Sequence, residues 1–188
     1  MPPKTRITKE NILRTAVEIV RRDGAEAVNA RTIAKELNCS TQPVFSNFAA
    51  MEDLRLAVVA AADALYEAYI TREIEAGKYP AYKAAGMAYI RFAREEKELF
   101  KLLFMRDRSA EGAHPETEGT KRIFDIVRAS TGFDGEKAEL FHLEMWAYVH
   151  GIAAMTATNY LELDTELVSR MMTDAYQGMK SRCAAEEE

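Results

Sequence analysis

The stretch Asn29–Leu54, NARTIAKELNCSTQPVFSNFAAMEDL, constrains this chain more than any other. Ile33, Ala34 and Leu37 fall at helical spacing and give a first short helix one apolar face. Asn38 sits where the chain must reverse, and Asn is among the few residues that tolerate a left-handed backbone. Ser40 is then expected to cap a second short helix, with Pro43 in the first turn, where its missing N–H costs nothing. Val44, Phe45 and Phe48 are expected to pin that helix inward, leaving Thr41, Gln42, Ser46 and Asn47 on its outer face. Small, uncharged hydrogen-bonding side chains on a short helix suit the base edges and phosphates of a DNA major groove.

The charge balance bears on this reading. The chain of 188 residues carries a net charge of −5, which is unpromising for a polyanion partner until it is divided. Residues 1–50 hold eight Lys and Arg against five Asp and Glu, whereas the remainder holds 17 against 25. The N-terminal quarter is therefore the part suited to DNA, and its small surplus implies few phosphate contacts per subunit and a need for dimerisation. No apolar run is long enough to span a bilayer, and the opening MPPKTRITKEN lacks the apolar core of a secretory signal. Cys39 and Cys183 are far apart in sequence, so a disulfide framework is not expected and a reduced, cytoplasmic setting is the default.

Helical periodicity covers the rest. Residues 1–7 read as a mobile basic tail. A helix capped by Thr8 runs to about Arg22, with Ile12, Ala16, Ile19 and Val20 inward and Gly24 at its end. Asn29 caps the next helix. A long helix follows at Met51–Ala76, stopped by Gly77 and Pro80, and then helices at Ala81–Arg94 and Glu96–Met105. Asp107–Gly119 reads as a loop. Further helices are expected at 117–130, from Glu136 to near Leu161, and from Thr165 to Ser181, before a frayed acidic tail. Gly86 lies within a helix, where it is unfavourable by about 1 kcal/mol against Ala, which suggests close packing or a cavity wall. With no period-2 pattern and no repeat, the fold class is all-α.

One stripe could carry chemistry. His142, Trp146 and His150 recur every four residues. They could be core residues whose ring nitrogens find backbone partners, the lining of a ligand cavity, or metal ligands helped by Glu139 or Glu144. Two histidines eight positions apart are separated by about 12 Å along a helix axis, too far to share one ion directly. No catalytic or phosphate-binding motif is present, so no enzyme activity and no cofactor are expected.

The stretch around the turn resembles the helix-turn-helix of TetR-family transcriptional regulators. The resemblance rests on Ile33–Ala34, the turn, Ser40, an aromatic at Phe45, Phe48, and the acidic pair before Leu54. Trp146, His150 and Gly151 resemble the W…HG signature of one subgroup's C-terminal domains, and AYIRFAREEKELFKLLF (Ala88–Phe104) resembles that subgroup's first core helices, with Lys97 where a proline is common. The resemblance implies a helix-turn-helix domain over residues 1–50 and a helical ligand-binding and dimerisation bundle over 51–188. It implies a homodimeric repressor released from a palindromic operator in double-stranded DNA by a small-molecule effector, with no membrane partner. DNA contacts would then come from Arg31, Thr32, Ser40, Thr41, Gln42, Pro43, Phe45, Ser46 and Asn47. The effector wall would come from Tyr66, Tyr89, Phe92, Phe104, Phe124, Met145, Trp146 and His150, unless these form solid core. Dimer contacts would use Gly151, Ala154 and Thr158, with the apolar stripe Val168, Met171, Met172, Ala175, Tyr176 and Met179. This chain departs from the family pattern where Phe45 replaces a common Tyr, Met51 a common Lys, and Ala50 the usual cap; Ser46 and Ala49 stand where basic residues are frequent. Those losses keep a rival open, namely a helical dimer that binds a small molecule or protein with weak or no specific DNA binding.

Overall fold

The computed structural model describes residues 7–107, 109 and 118–185. The expected basic tail, apart from its last residue, most of the 107–119 loop and the acidic tail at 186–188 lie outside the described residues. Among those described there are nine α-helices, one 3-10 turn and no strand.

The helices are α1 (Lys9–Asp23), α2 (Ala30–Glu36), α3 (Gln42–Asn47), α4 (Met51–Glu75), α5 (Ala81–Glu95), α6 (Lys97–Phe104), α7 (Glu118–Thr131), α8 (Gly135–Ala157) and α9 (Thr165–Ala185). They form two compact units. The first takes the described residues up to Leu65 together with Glu96–Arg106; the second takes Tyr66–Glu95 and the described residues from Asp107 onward. The expected division at residue 50 follows the chain, whereas packing assigns the start of α4 and all of α6 to the first unit. The physical reason is a shared core: α6 lies along α1, and Leu99, Phe100 and Leu103 are buried in the same unit as Ile12, Ile19, Leu54 and Val58.

In the first unit, α1 begins at a reciprocal cap in which Asn11 N–H donates to Thr8 Oγ1 and Thr8 N–H to Asn11 Oδ1. It buries Ile12, Ala16, Ile19 and Val20, as its periodicity predicts, and closes at Gly24 with φ 86°. Asn29 accepts from the N–H groups of Arg31 and Thr32 and starts α2. Asn38 has the left-handed φ of 49° that the reversal requires. Two expectations for α3 need correction. Thr41, not Ser40, occupies the N-cap, and it makes no side-chain cap bond because its backbone is already helical. Phe45 does not point inward: Val44 and Phe48 are buried, but Phe45 is 55% exposed. Val44 and Phe48 are four residues apart and fill the inward face of this short helix; Phe45 falls beyond it.

In the second unit α5 packs chiefly on α8, and α8 also contacts α7 and α9. Tyr82, Val127, Ala138, Phe141, Met145 and Cys183 form one buried cluster. Gly86 of α5 faces α9: a Cβ there would lie 2.3 Å from Met172 Cε, the flexible end of a side chain that would have to move aside. Much of the α9 stripe expected to need a partner is covered by this unit. Val168 and Met172 are buried, and Ala175, Tyr176 and Met179 pack on the core cluster. Helix α8 is shorter than expected, because Thr158 ends it and Asn159 takes a φ of 55°.

Candidate functional site

The outer face of the helix-turn-helix is defined by which polar groups are already used. Ser46 Oγ donates to Gln42 O at 2.9 Å, and Asn47 Nδ2 donates to Pro43 O at 2.8 Å, so both side chains fold back on α3. The Thr32 hydroxyl donates to Ala27 O at 2.7 Å and accepts from Asn29 N–H, completing the cap of α2. By contrast, the side chains of Ser40, Thr41 and Gln42 make no hydrogen bond with other described residues, and Ser40 and Gln42 are exposed. Phe45 adds an exposed ring on the same helix, and Pro43 is half-buried.

Cations are scarcer here than the count of eight suggests. Arg21 is held by Glu96 at 2.8 Å and by Glu18, and the Glu96 hydrogen bond is the largest cause of its raised pKa. Arg22 is held by Asp23 and Glu36, again with a raised pKa, and Asp23 is held below its ordinary value by the same pairing. Arg31 is exposed in the first turn of α2 and has no ion-pair partner among the described residues. Lys9 lies over the Phe48 ring at 5.0 Å. No Lys or Arg occurs between Glu36 and Leu54.

The residues expected to wall an effector cavity fall into separate groups. Tyr66, Tyr89, Phe92, Trp146 and His150 lie together: Tyr66 meets Tyr89 and Phe92 at ring distances of 5.7 and 5.5 Å, and Trp146 meets His150 at 5.4 Å. Phe124 belongs to a second group, 5.3 Å from His142, and Met145 to the core cluster beside it. Phe104 belongs to the first unit, 5.2 Å from Phe100.

The two histidines of the stripe are each paired across the helix contact. Each meets a tyrosine of α5. Tyr82 Oη lies 3.0 Å from His142 Nδ1, and Tyr89 Oη lies 2.8 Å from His150 Nδ1. The tyrosines are seven residues apart and the histidines eight, so the pair repeats two turns along the α5–α8 contact. Burial pushes both phenol pKa values up and both imidazole values down; Trp146, hydrogen-bonded to Tyr89, opposes the shift there. Each pair therefore joins a protonated phenol to a neutral imidazole, and the imidazole tautomer sets which of the two donates. Sequence reasoning placed the histidines on one face but missed their partners; the signal was the matching seven-residue step of Tyr82 and Tyr89. Among the described residues, no group of three or more His, Cys, Asp or Glu side chains is placed to hold a metal ion.

A cleft of about 310 Å³ opens elsewhere in the second unit, lined by residues from the end of α4, the turn after it, α5 and the start of α9. None of the expected wall residues lines it. Its polar members include Lys78, Tyr79, Arg91, Arg94 and Glu95. Arg91 and Arg94, three residues apart near the end of a largely apolar helix, were the sequence signal for it. No described helix is long and apolar enough to cross a membrane.

Comparison with curated proteins finds no match. Among solved structures, a protein of unknown function from Rhodococcus sp. RHA1 is similar over 96% of this chain and 97% of its own, with a TM-score of 0.69 and 20% identity. That likeness is one of fold. Residues 82–176 match the family model of the tetracycline repressor-like C-terminal domain, a region that holds both Tyr···His pairs and takes in just over half of the sequence. On that match the chain belongs to the tetracycline repressor-like (TetR) family.

Proposed function

We propose that this protein is a homodimeric DNA-binding regulator, a repressor released from a palindromic operator by a small molecule. The observation that carries the reading is the outer face of α3. Its inward side is fixed by buried Val44 and Phe48, while Gln42 stands exposed with its amide uncommitted. A Gln side chain in a major groove reads adenine through paired bonds to N6 and N7. Ser40, Thr41 and Pro43 flank it, Phe45 offers apolar contact, and Arg31 supplies a phosphate contact from α2. Thr32, Ser46 and Asn47 contribute less, because their side chains already serve the backbone. The DNA contacts lie within residues 1–50, and two copies of α3 would enter major grooves about 34–36 Å apart.

Residues 51–188 supply ligand binding and dimerisation. The outer side of α8 supports the dimer: Leu140 and Leu143 are 48% and 56% exposed, and the space beside Gly151, and beside Gly178 of α9, is open. The aromatic group around Tyr66, Tyr89, Phe92, Trp146 and His150 is the effector wall. Helix α4 contributes to both units and is the coupling element; an effector shifts the equilibrium only by its differential affinity for the two dimer geometries.

The test is a salt titration of binding to the DNA upstream of the protein's own gene. A specific, salt-sensitive complex lost in Gln42→Ala or Arg31→Ala supports the regulator. One specific observation favours the rival, a helical dimeric binding module with weak DNA affinity: the recognition segment from Leu37 to Leu54 has no cation and ends in Glu52 and Asp53. Non-specific binding alone, indifferent to both substitutions, would select that rival.

A further inference from the structure

We infer that the cleft between the end of α4, α5 and the start of α9 is a binding site for a small organic carboxylate with a short apolar chain. The site is distinct from the aromatic wall, and its test does not involve DNA. Its lining decides the sign of the ligand. Three cations, Lys78, Arg91 and Arg94, face two carboxylates, Glu73 and Glu95. Both carboxylates are already answered. Arg91 Nε donates to Glu95 at 2.8 Å and its Nη1 lies 3.4 Å from Glu73, while Tyr69 Oη donates to Glu95 at 2.7 Å. Arg91 is thus neutralised within the cleft, and Glu95 is held below its ordinary pKa despite burial, by Arg91 and Tyr69.

The other two cations have no carboxylate partner among the described residues. Arg94 donates Nη2 to Leu163 O at 2.7 Å and Nη1 to Thr165 Oγ1 at 3.3 Å, leaving the rest of its five N–H donors open. Lys78 is exposed and lies over the Tyr79 ring at 5.1 Å. Lining one cleft with Tyr79, these groups supply the donor types that a carboxylate takes. The floor is apolar but nearly closed: Met87, Ile90 and Val168 are 7%, 2% and 1% exposed. Only a short chain can lie on it, and a cleft of about 310 Å³ sits at the lower end of ligand-site volumes.

Hexanoate is the probe, with hexylammonium and 1-hexanol as charge controls, followed through the methionine methyl signals of the full-length protein labelled with 13C-methyl methionine. Hexanoate is expected to shift the Met87 methyl saturably, and to bind roughly tenfold more tightly than either control. Lys78→Gln, at an exposed position, is expected to weaken hexanoate about threefold, and Arg94→Gln about tenfold. Arg94→Gln also disturbs the bonds to Leu163 and Thr165, so Lys78→Gln carries the decision. The proposal is overturned if no saturable Met87 shift occurs, if hexylammonium binds as tightly as hexanoate, or if Lys78→Gln leaves the affinity unchanged.

Discussion

In the first unit the side chains of Ser40, Thr41 and Gln42 sit at the surface with no partner among the described residues, whereas in the second the hydroxyls of Tyr82 and Tyr89 are buried and each meets a histidine. Both regions are polar faces of short contact stretches, but their energetics are opposite. An unpartnered group at the surface exchanges water for a ligand at little cost to folding. A part-buried pair holds two groups with reduced access to water, so removing one leaves the other poorly satisfied. Substitutions on α3 should change DNA binding and spare stability; substitutions at the Tyr82···His142 pair should cost stability and spare DNA binding.

The severest challenge to that contrast is Phe92→Ala. Phe92 is fully buried between Tyr66 and Tyr69, with ring distances of 5.5 and 5.3 Å. Loss of a buried phenylalanine costs about 3–5 kcal/mol. Denaturant unfolding should show that loss. If the aromatic group instead encloses a relaxed cavity, the cost falls well short of it, and an apolar ligand should recover part of the stability.

Next comes Tyr82→Phe, which keeps the ring and removes the hydroxyl. His142 Nδ1 is then left without its partner inside the unit, at an expected cost of about 1–3 kcal/mol. Gln42→Ala is the mirror experiment. It should weaken specific DNA binding by about 1–3 kcal/mol at one operator position while leaving unfolding within about 0.5 kcal/mol of the parent. A stability loss in Gln42→Ala comparable to that of Tyr82→Phe would erase the distinction between the regions.

The contrast also explains what could be read in advance. The buried stripe of α1, the caps at Thr8 and Asn29 and the reversal at Asn38 follow from periodicity and local backbone chemistry, which act within a few residues. Phe45 misled because α3 is only six residues long, too short for spacing to separate the inward face from its flank. The α9 stripe was legible as apolar but not as to its partner. Val168 and Met172 are covered by their own unit, a fact that depends on contacts across α5, α8 and α9. The Tyr···His pairs and the Arg94 cleft are likewise tertiary, joining residues about 60 to 70 positions apart.

A smaller effect comes from pH. Burial lowers the pKa of His142 and His150 below the ordinary 6.5. The unfolded chain therefore takes up protons first as pH falls, and stability should decline from about pH 6.5 downward until the folded imidazoles also protonate. Above pH 7 the two groups are neutral in both states and add no slope. Thermal unfolding between pH 7.5 and 5 reads this decline, and His142→Gln, which retains an acceptor for Tyr82, should flatten it. An unchanged slope in that variant would mean that other groups govern the acid response.

Phe45→Tyr should have the smallest effect, and it tests the exposed face directly. Phe45 is 55% exposed, so a para-hydroxyl extends into solvent and strains nothing in the core; stability should be unchanged within about 0.5 kcal/mol. On DNA that hydroxyl lies on a helix whose flanks carry no cation, and a bond to a phosphate oxygen is worth about 1 kcal/mol or somewhat more. Affinity should rise about fivefold for specific and non-specific DNA alike, because a phosphate contact carries no sequence information. The salt slope should stay as it was, since a neutral hydroxyl releases no counterion. A gain confined to one operator sequence would place position 45 against a base edge. No gain on any DNA would turn this face of α3 away from the backbone and favour the binding-module rival.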